Sequence, residues 1–382
     1  FRRVLFRSLY LAAICAVVPS LGRSKIPLLL KKFGSAKALF EASEAELLNA
    51  GICAPKNVFQ FIRKRSLDLP KRIDTFCKLN GVSIVSIYDE DYPKSLKEIH
   101  DPPLVLYVRG EIPKFNYAIG VVGSREASHY GLKAASFFAT GLAREGIPII
   151  SGGAKGIDAA AHEAALKAGG TTIAVLGCGL DIAYPASNQK LFERIAQNGA
   201  VISEYPPGTA PMSQNFPARN RIIVGLSRGI VVAEAAQKSG ALITAHIAAD
   251  EGREVYCVPG NIFENTSIGC HELIRQGAKL VDSVTDILED KIAWQVAMQQ
   301  KVFQPSIFEP ADDKLKYSLE AISPSFSKLG ENILALLKQG PLSLEEITEQ
   351  SGKSVSEISM ELLELQVAGY IDMDNGNRYF RL

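Results

Sequence analysis

The alternation of short apolar runs with helical stretches between residues 117 and 258 most constrains how this chain can fold. The intervening helical stretches are about ten to seventeen residues long, which is typical of a parallel sheet with helices on both faces. Runs such as Ile230-Val231-Val232 are apolar at every position, as expected for strands that are buried on both faces. The pattern therefore predicts an α/β fold. The predicted strands occupy residues 82–87, 104–108, 117–122, 148–151, 172–176, 200–203, 229–233 and 254–258.

Smaller helical segments flank the predicted sheet. Residues 9–79 are broken into short helices by several prolines and glycines, and they predict a small domain of the SAM or helix-hairpin-helix type. Whether this domain touches DNA stays open. Near the end of the chain, three apolar helical stripes precede strands around Asn375-Gly376, a pair that favours a hairpin turn, so we expect a winged helix-turn-helix. The predicted divisions are a helical domain 1–80, a sheet domain 81–292, a linker 293–327 and a winged-helix domain 328–382.

The first residues resemble a secretory signal, because arginines precede an apolar run over residues 9–18. A run of about ten residues is too short to span a bilayer. Lys25, Lys31 and Lys32 also continue an amphipathic helical pattern beyond it. We therefore expect a helix of the small domain here, and we place no weight on residues 1–8.

Charge is distributed unevenly, although the net charge is only +1. Residues 1–80 carry 15 Lys/Arg against 5 Asp/Glu, whereas residues 283–382 carry 9 against 16. Such asymmetry indicates a polyanionic partner near the basic end. Residues 115–282 carry 14 charges of each sign, so phosphate attraction alone would give the sheet domain modest affinity for nucleic acid.

The sequence offers little of what enzyme chemistry requires. The six cysteines include no C-x-x-C pair, which argues against zinc and indicates reduced thiols in a cytosolic protein. Cys178 lies between two glycines but has no matched histidine. No G-x-S-x-G motif is present. The histidines lack metal-ligand spacing, so we expect no metal, no cofactor and no catalytic residue.

Glycines and cations follow the ends of two predicted strands. The first strand end leads into Gly123-Ser124-Arg125, and the second leads into a loop with Lys155 ahead of an Ala-rich helix. Glycines bring backbone N–H groups close to an anion, and a helix N-terminus favours negative charge. This loop therefore predicts a phosphate site, although it is not a nucleotide P-loop. The alternative is a tight strand-to-helix turn with a solvated lysine. The loop contains Ser151, Gly152, Gly153, Ala154, Lys155, Gly156, Ile157 and Asp158.

A second group of candidate residues surrounds the start of a later helix. Phe216 suits a stacked base, and Arg219, Asn220 and Arg221 suit backbone phosphates. The alternative is that both arginines pair with Glu204 or Glu234 inside the domain. Further along the chain, each of two loops could donate hydrogen bonds to the same groove, and each could equally be a loop with a helix cap. These loops contribute Ser239, Gly240, Thr244, Gly260 and Asn261.

Taken in order, these segments resemble the DprA/Smf family of DNA-processing proteins. The resemblance covers residues 90–290, and Tyr92-Pro93 with DPPLVLY at 101–107 is similar to the family's entry segment. The motifs that carry it are GVVGSR at 120–125, SGGAKGIDAAAH at 151–162, GCGLDIAYP at 177–185, FPARNRI at 216–222, SGALIT at 239–244 and VPGN at 258–261.

The resemblance implies an extended Rossmann-like, doubly wound domain in a cytoplasmic homodimer that binds single-stranded DNA and loads RecA during natural transformation. It transfers DNA contact best to Arg125 and Lys155. The family has no established catalytic residues, so none is transferred. The alternative is a Rossmann-like enzyme or sensor that binds or cleaves nucleoside phosphates. The predicted DNA-binding residues are Gly123, Ser124, Arg125, Ser151, Gly152, Gly153, Lys155, Gly156, Phe216, Arg219, Asn220, Arg221, Ser239, Gly240, Thr244, Gly260 and Asn261.

The predicted winged helix is acidic. Winged helices that read DNA carry a basic recognition helix, but Glu357, Glu361 and Glu364 lie on the third helix here. Repulsion from phosphates favours contact with a protein.

Overall fold

A computed structural model describes residues 2–17, 23–302, 328–367, 370–373 and 378–381. The chain divides into two compact units, Phe1–Pro305 and Ser306–Leu382, which are described separately. The predicted domain boundaries stay predictions.

Short helices form the start of the first unit. Ser35 caps one helix by accepting a hydrogen bond from the Ala38 N–H, and Ser43 with Glu46 forms a capping box at the next. Pro55 begins a third helix, where its missing N–H has no consequence because the first N–H groups of a helix have no partner within the helix. The helices are α1 (Arg2–Val17), α2 (Ile26–Phe33), α3 (Ala36–Glu41), α4 (Glu44–Asn49), α5 (Pro55–Lys64) and α6 (Leu69–Leu79).

The apolar run near the N-terminus lies in the interior of this unit. Leu11 and Ile14 of α1 are fully buried, and they join a core that also contains Tyr107 and Val201 of the sheet. The helical segment and the sheet therefore share a core. Among the described residues, no helix is both long and apolar enough to cross a membrane.

The described part of the first unit contains one nine-stranded sheet, in the order β1-β2-β6-β5-β4-β3-β7-β8-β9. Parallel pairing extends from β6 to β9, whereas β1 and β2 add to one edge in antiparallel fashion. The predicted strands are confirmed to within about two residues at each end. The strands are β1 (Val82–Ser86), β2 (Val105–Gly110), β3 (Ile119–Gly123), β4 (Ile149–Ser151), β5 (Thr172–Leu176), β6 (Gly199–Ser203), β7 (Gly229–Glu234), β8 (Glu254–Cys257) and β9 (Lys279–Leu280).

Helices cover both faces of the sheet, as predicted. Ile119 and Val121 of β3 pack with α8 and α9 on one face, whereas Val122 packs with α11 and α12 on the other. Successive side chains of a strand point to opposite faces, so a strand covered on both needs apolar residues throughout. The helices are α7 (Lys94–Lys97), α8 (His129–Arg144), α9 (Ile157–Lys167), α10 (Gln189–Gln197), α11 (Asn215–Leu226), α12 (Gly240–Asp250), α13 (Ile268–Arg275) and α14 (Thr285–Val302).

The strand order reverses at β3. The strands β4, β5 and β6 follow on one side of β3, whereas β7 pairs with its other side. In open α/β sheets, ligands bind outside the carboxyl ends of the strands at such a switch point. The loops after β3 and β7 therefore mark the expected place for a ligand.

Helix α14 extends into the segment predicted as a linker. Trp294 lies in this helix, and its ring centroid is 5.6 Å from that of Tyr117. The Arg228 guanidinium carbon lies 5.0 Å from the same Trp294 ring centroid. These contacts hold α14 near Trp294, and the helix continues to Val302, ten residues into the predicted linker 293–327.

The second unit contains helices and a small antiparallel sheet. Strand β12 pairs with both β10 and β11, and the buried Ile333, Ile347 and Leu362 form the core. This is the predicted winged-helix arrangement, although the turn at Asn375-Gly376 lies outside the described residues. The elements are α15 (Lys328–Leu336), β10 (Leu342–Ser343), α16 (Leu344–Ser351), α17 (Val355–Val367), β11 (Ile371–Met373) and β12 (Arg378–Arg381).

Candidate nucleic-acid interface

A cleft of about 740 Å³ opens at the switch point between β3 and β7. It is lined by the loop after β3, the start of α11 and the loop that leads into α12. Arg125 and Lys238 bring positive charge to its wall, and both side chains are exposed. Glu126 and Asp158 add two carboxylates to the lining, and Asn220 adds an amide. The cleft therefore combines cations and polar groups at the place where the fold favours a ligand.

Arg125, Phe216 and Tyr184 form a stack at this cleft. The Arg125 guanidinium carbon lies 5.1 Å from the centroid of the Phe216 ring, and the Tyr184 and Phe216 ring centroids are 5.4 Å apart. Tyr184 is 42% exposed, so its ring remains accessible to a ligand. Tyr184 is not among the DNA-binding residues predicted from the sequence, although its position in the loop after β5 is a signal that could have included it.

Backbone amides of the loop after β4 donate hydrogen bonds to a side chain of the protein itself. The N–H groups of Gly152 and Ala154 donate to Oδ2 of Asp158, at 3.1 and 3.3 Å. Burial raises the pKa of Asp158, opposed by the nearby Arg219 charge. The Asp158 carboxylate thus accepts the amide hydrogen bonds that the sequence analysis assigned to a phosphate. The expectation that the Gly152 amide binds phosphate is corrected accordingly.

Arg219 holds this loop from the other side. Its side chain is 4% exposed, and Nη1 donates to the carbonyl oxygens of Gly152, at 2.7 Å, and Val175. Burial lowers the pKa of Arg219 to about 10, and the Asp158 charge acts in the opposite direction. Arg219 also lines the cleft, but its Nη1 is used inside the protein, which indicates a structural role. Its predicted phosphate contact stays a prediction.

Arg221 pairs with carboxylates, as the alternative interpretation expected. Its Nη2 lies 2.8 Å from Glu204 and its Nε lies 3.0 Å from Asp101. Burial alone would lower the pKa of Arg221, but the two negative charges outweigh it and raise the pKa. Glu234 has a different partner, because its carboxylate accepts hydrogen bonds from Ser128.

The glycines of these loops bring backbone segments together. Gly156 has φ +75°, and a Cβ there would collide with the Ser124 carbonyl oxygen. That same oxygen accepts a hydrogen bond from the Ile157 N–H at 3.2 Å. Gly153 has φ +67°, and a Cβ there would lie 2.6 Å from Phe192. Close packing of the β4 loop against the β3 loop at Gly156, and against α10 at Gly153, accounts for glycine at both positions.

The other predicted residues divide between the cleft and its surroundings. Thr244 lines the cleft, as do Gly123, Ser124, Ser239 and Gly240.

Ser151 is fully buried and donates to the Val121 carbonyl oxygen at 2.6 Å. Lys155 is exposed but is not among the residues that line the cleft. Gly260 and Asn261 also lie outside the lining. Gly260 contacts the His271 ring, and Asn261 Oδ1 accepts from the Phe263 N–H at 3.0 Å.

Burial shifts the pKa values of one histidine and one cysteine of the sheet domain. Burial lowers the pKa of His162 to about 3, so its ring is neutral at ordinary pH. Burial raises the pKa of Cys178 to about 11, which disfavours the reactive thiolate. Among the described residues, no group of three or more His, Cys, Asp or Glu side chains could hold a metal ion.

The fold and cleft define an extended Rossmann-like protein with a cationic and aromatic binding cleft, joined in one chain to a winged-helix unit. The chain belongs to the family of DNA recombination-mediator protein A, whose profile matches residues 83–291. A second profile, that of the DprA winged helix domain, matches residues 320–377. The resemblance that the sequence motifs carry is thereby confirmed.

Named members of the family are similar to this chain in sequence. DNA processing protein DprA of Streptococcus pneumoniae is 50% identical over 206 residues, which cover 54% of this chain and 73% of the relative. DNA processing protein DprA of Bacillus subtilis is 37% identical over 287 residues, which cover 73% and 95% of the two chains.

Solved structures are similar too. The X-ray structure of Streptococcus pneumoniae DprA superposes with a TM-score of 0.62 at 39% identity, covering 74% of this chain and 97% of that one. DNA processing protein A of Helicobacter pylori, described for its single-stranded DNA binding mode, gives a TM-score of 0.50 at 31% identity. That match covers 56% of this chain and 96% of the other.

Proposed function

We propose that this chain binds single-stranded DNA in the switch-point cleft, shields it, and loads a RecA-type recombinase onto it during natural transformation. The observation that carries the proposal is the stack of exposed Arg125 against Phe216 and Tyr184 in a cleft with Lys238. The single-stranded DNA binding described for the Helicobacter pylori relative supports the choice of ligand.

The chemistry of the stack favours single strands over duplexes. An aromatic platform accepts any base by stacking, but the base must first be free of its own neighbours. Tyr184 offers such a platform, while Arg125 and Lys238 lie close enough to the same cleft to bind the adjoining phosphates. Asn220 adds an amide that can donate or accept hydrogen bonds.

Arg219 and Arg221 support the cleft from inside. Arg219 holds the β4 loop, and Arg221 joins α11 to Glu204 and Asp101. Both act as positioning residues that keep Phe216 and Asn220 at the cleft, because all four lie on α11. No catalytic step is proposed, and nucleoside monophosphates incubated with the protein are expected to stay intact.

Recombinase loading, homodimer formation and a cytoplasmic location rest on the family resemblance. In this part of the proposal, two copies of the chain hold one strand and transfer it to the recombinase. The acidic winged-helix unit is assigned to contact with a protein, because Glu357 would repel phosphates.

The test compares variants in binding to an oligo-dT strand and to a duplex of the same length. We expect Tyr184→Ala to weaken single-strand binding about tenfold, since stacking contributes about 1–3 kcal/mol per base. Phe137→Ala is the matched control, because Phe137 is 52% exposed on α8 and does not line the cleft. Equal losses in the two variants, or preference for the duplex, would contradict the proposal.

A further inference from the structure

The basic charge of this chain is concentrated in its helical segment. Residues 1–80 carry 15 Lys/Arg against 5 Asp/Glu, whereas residues 115–282 carry 14 of each sign. Several sheet cations are also engaged with protein groups, among them Arg194, which lies 2.8 Å from Glu163. A strand that continues beyond the cleft would therefore meet more available positive charge on the helices than around the sheet.

One exposed face of α5 combines cations with an aromatic ring. Lys56, Phe59, Arg63 and Lys64 are all exposed, and Phe59 is 55% exposed. Spacings of three, four and seven residues place Lys56, Phe59 and Arg63 on one side of the helix. Lys64 follows Arg63 at the edge of this side and lines the same groove. These four residues, here called the α5 basic face, line a groove of about 760 Å³.

The cations of the α5 basic face have no acidic partner in ion-pair distance among the described residues. Ion pairs of the described helical segment join Lys37 to Glu41 and Lys78 to Asp74. Glu44 lines the same groove, but three cations outnumber its one carboxylate. Cations around an accessible aromatic ring match the composition of sequence-tolerant surfaces for single-stranded nucleic acid.

The α5 basic face is connected to the cleft along the carboxyl ends of the strands. Lys64 also lines a second groove, of about 570 Å³, together with Arg72 and the loop 206–208 that follows β6. The N–H of Gly208 in this loop donates to Asp181 at 2.9 Å, which fixes its position. Farther along the same loop, Pro211 lines the switch-point cleft. One loop thus borders both the second groove and the cleft.

We propose that the α5 basic face is a second contact surface for the same DNA strand. The strand leaves the cleft past the loop 206–208 and reaches Lys64, Arg63 and Lys56, with a base against Phe59. This inference rests on the proposed function and assigns the path of the strand beyond the cleft. The inference predicts that DNA affinity depends on strand length, because a short strand fills the cleft and does not reach α5.

The test uses the full chain and oligo-dT of two lengths, about 6 and about 24 nucleotides. The variant Arg63→Gln/Lys64→Gln removes two charges from the last turn of α5. The control Arg144→Gln/Lys167→Gln removes the same residue types from the last turns of α8 and α9, which lead into the amino ends of β4 and β5. All four side chains are exposed, and glutamine preserves helix propensity.

We expect the α5 variant to weaken binding of the long strand at least about fivefold and to lower its salt slope by about 1.4, since each phosphate contact on a single strand contributes about 0.7. Binding of the short strand should be unchanged, and the control should change neither. Phe59→Ala should weaken the long strand about tenfold without altering the salt slope.

Arg125→Ala separates this inference from the proposed function. If Arg125→Ala weakens both lengths while Arg63→Gln/Lys64→Gln weakens neither, the cleft binds DNA and the α5 basic face does not. The second contact surface is then rejected. If Arg125→Ala changes neither length, the proposed function itself fails.

Discussion

The Arg219 guanidinium donates a hydrogen bond to the carbonyl oxygen of Gly152 across 2.7 Å, while the N–H of the same glycine donates to Asp158. Both polar groups of Gly152 are therefore satisfied by side chains. A Cβ at this position would lie 2.6 Å from both partners, so glycine is required for the approach. This connection between α11 and the β4 loop forms the floor of the cleft.

Removing the Arg219 charge should destabilise the fold. The variant Arg219→Gln removes the Nη1 donor from two buried carbonyl oxygens and the positive charge near buried Asp158. Leaving buried polar groups unpaired costs about 1–3 kcal/mol. Urea unfolding measures the free energy of unfolding, with Arg144→Gln as an exposed control. Unchanged stability combined with a selective loss of DNA affinity would mean that Arg219 contacts the ligand instead.

Exposed and buried arginines of the cleft should differ in their effect on DNA. We expect Arg125→Ala to weaken binding to oligo-dT and to lower the salt slope by about 0.7, the contribution of one phosphate on a single strand. Lys155→Ala should have a smaller effect, because Lys155 is exposed beside the cleft but does not line it. Titrations at several salt concentrations give both slopes, and unchanged slopes in both variants would contradict the assignment of the groove.

Much of the fold was accessible from the sequence because its signals are local. Strands buried on both faces are continuous apolar runs, and these located β1 to β8. The two-residue strand β9 is too short to produce such a run. The antiparallel direction of β1 and β2 was also not predictable, because it depends on pairing partners that are distant in sequence.

The roles of the site residues were less predictable from the sequence. The role of a polar side chain depends on the group it binds in the folded protein. Arg125, Arg219 and Arg221 are the same residue type in the sequence, yet in the structure only Arg125 is exposed. Nη1 of Arg219 donates to carbonyl groups 67 and 44 residues away. No local pattern distinguishes such a side chain from one that binds phosphate. The stack of Tyr184 on Phe216 likewise joins two loops that only the folded sheet brings together.

His162 should make stability depend on pH. Burial, with help from the Arg219 charge, lowers its pKa to about 3 from an ordinary value of 6.5. His162 is therefore protonated below about pH 6.5 in the unfolded chain, but only below about pH 3 in the folded protein. This contribution to stability is present above pH 6.5 and declines as pH falls, by about 2 kcal/mol between pH 7 and pH 5.

The measurement is urea unfolding at pH 7, 6 and 5, compared with His162→Asn. Nδ1 of His162 lies 2.6 Å from the Thr172 hydroxyl, which donates to the Ile149 carbonyl oxygen, so the ring donates to the hydroxyl. Asparagine can supply the same donor without a titrating group. The difference between the two proteins should shrink with falling pH, and a constant difference would contradict the shift.

Deleting residues 328–382 should leave DNA affinity nearly intact. In the described part of this unit, Glu357 is exposed at the start of α17, where it accepts from the Ser354 N–H at 3.1 Å. A carboxylate suits a helix N-terminus but repels phosphate at the helix that would read DNA. Oligo-dT titration of the shortened chain checks this, and a tenfold loss of affinity would reject it.

The path of the strand is tested most directly by photo-crosslinking oligo-dT that contains 4-thiothymidine to the full chain and sequencing the modified peptides. Crosslinks should concentrate on Tyr184 and Phe216 at the switch-point cleft and should be lost in the Arg125→Ala variant. Crosslinks confined to residues outside the cleft, with Tyr184 and Phe216 unmodified, would show that the DNA lies elsewhere.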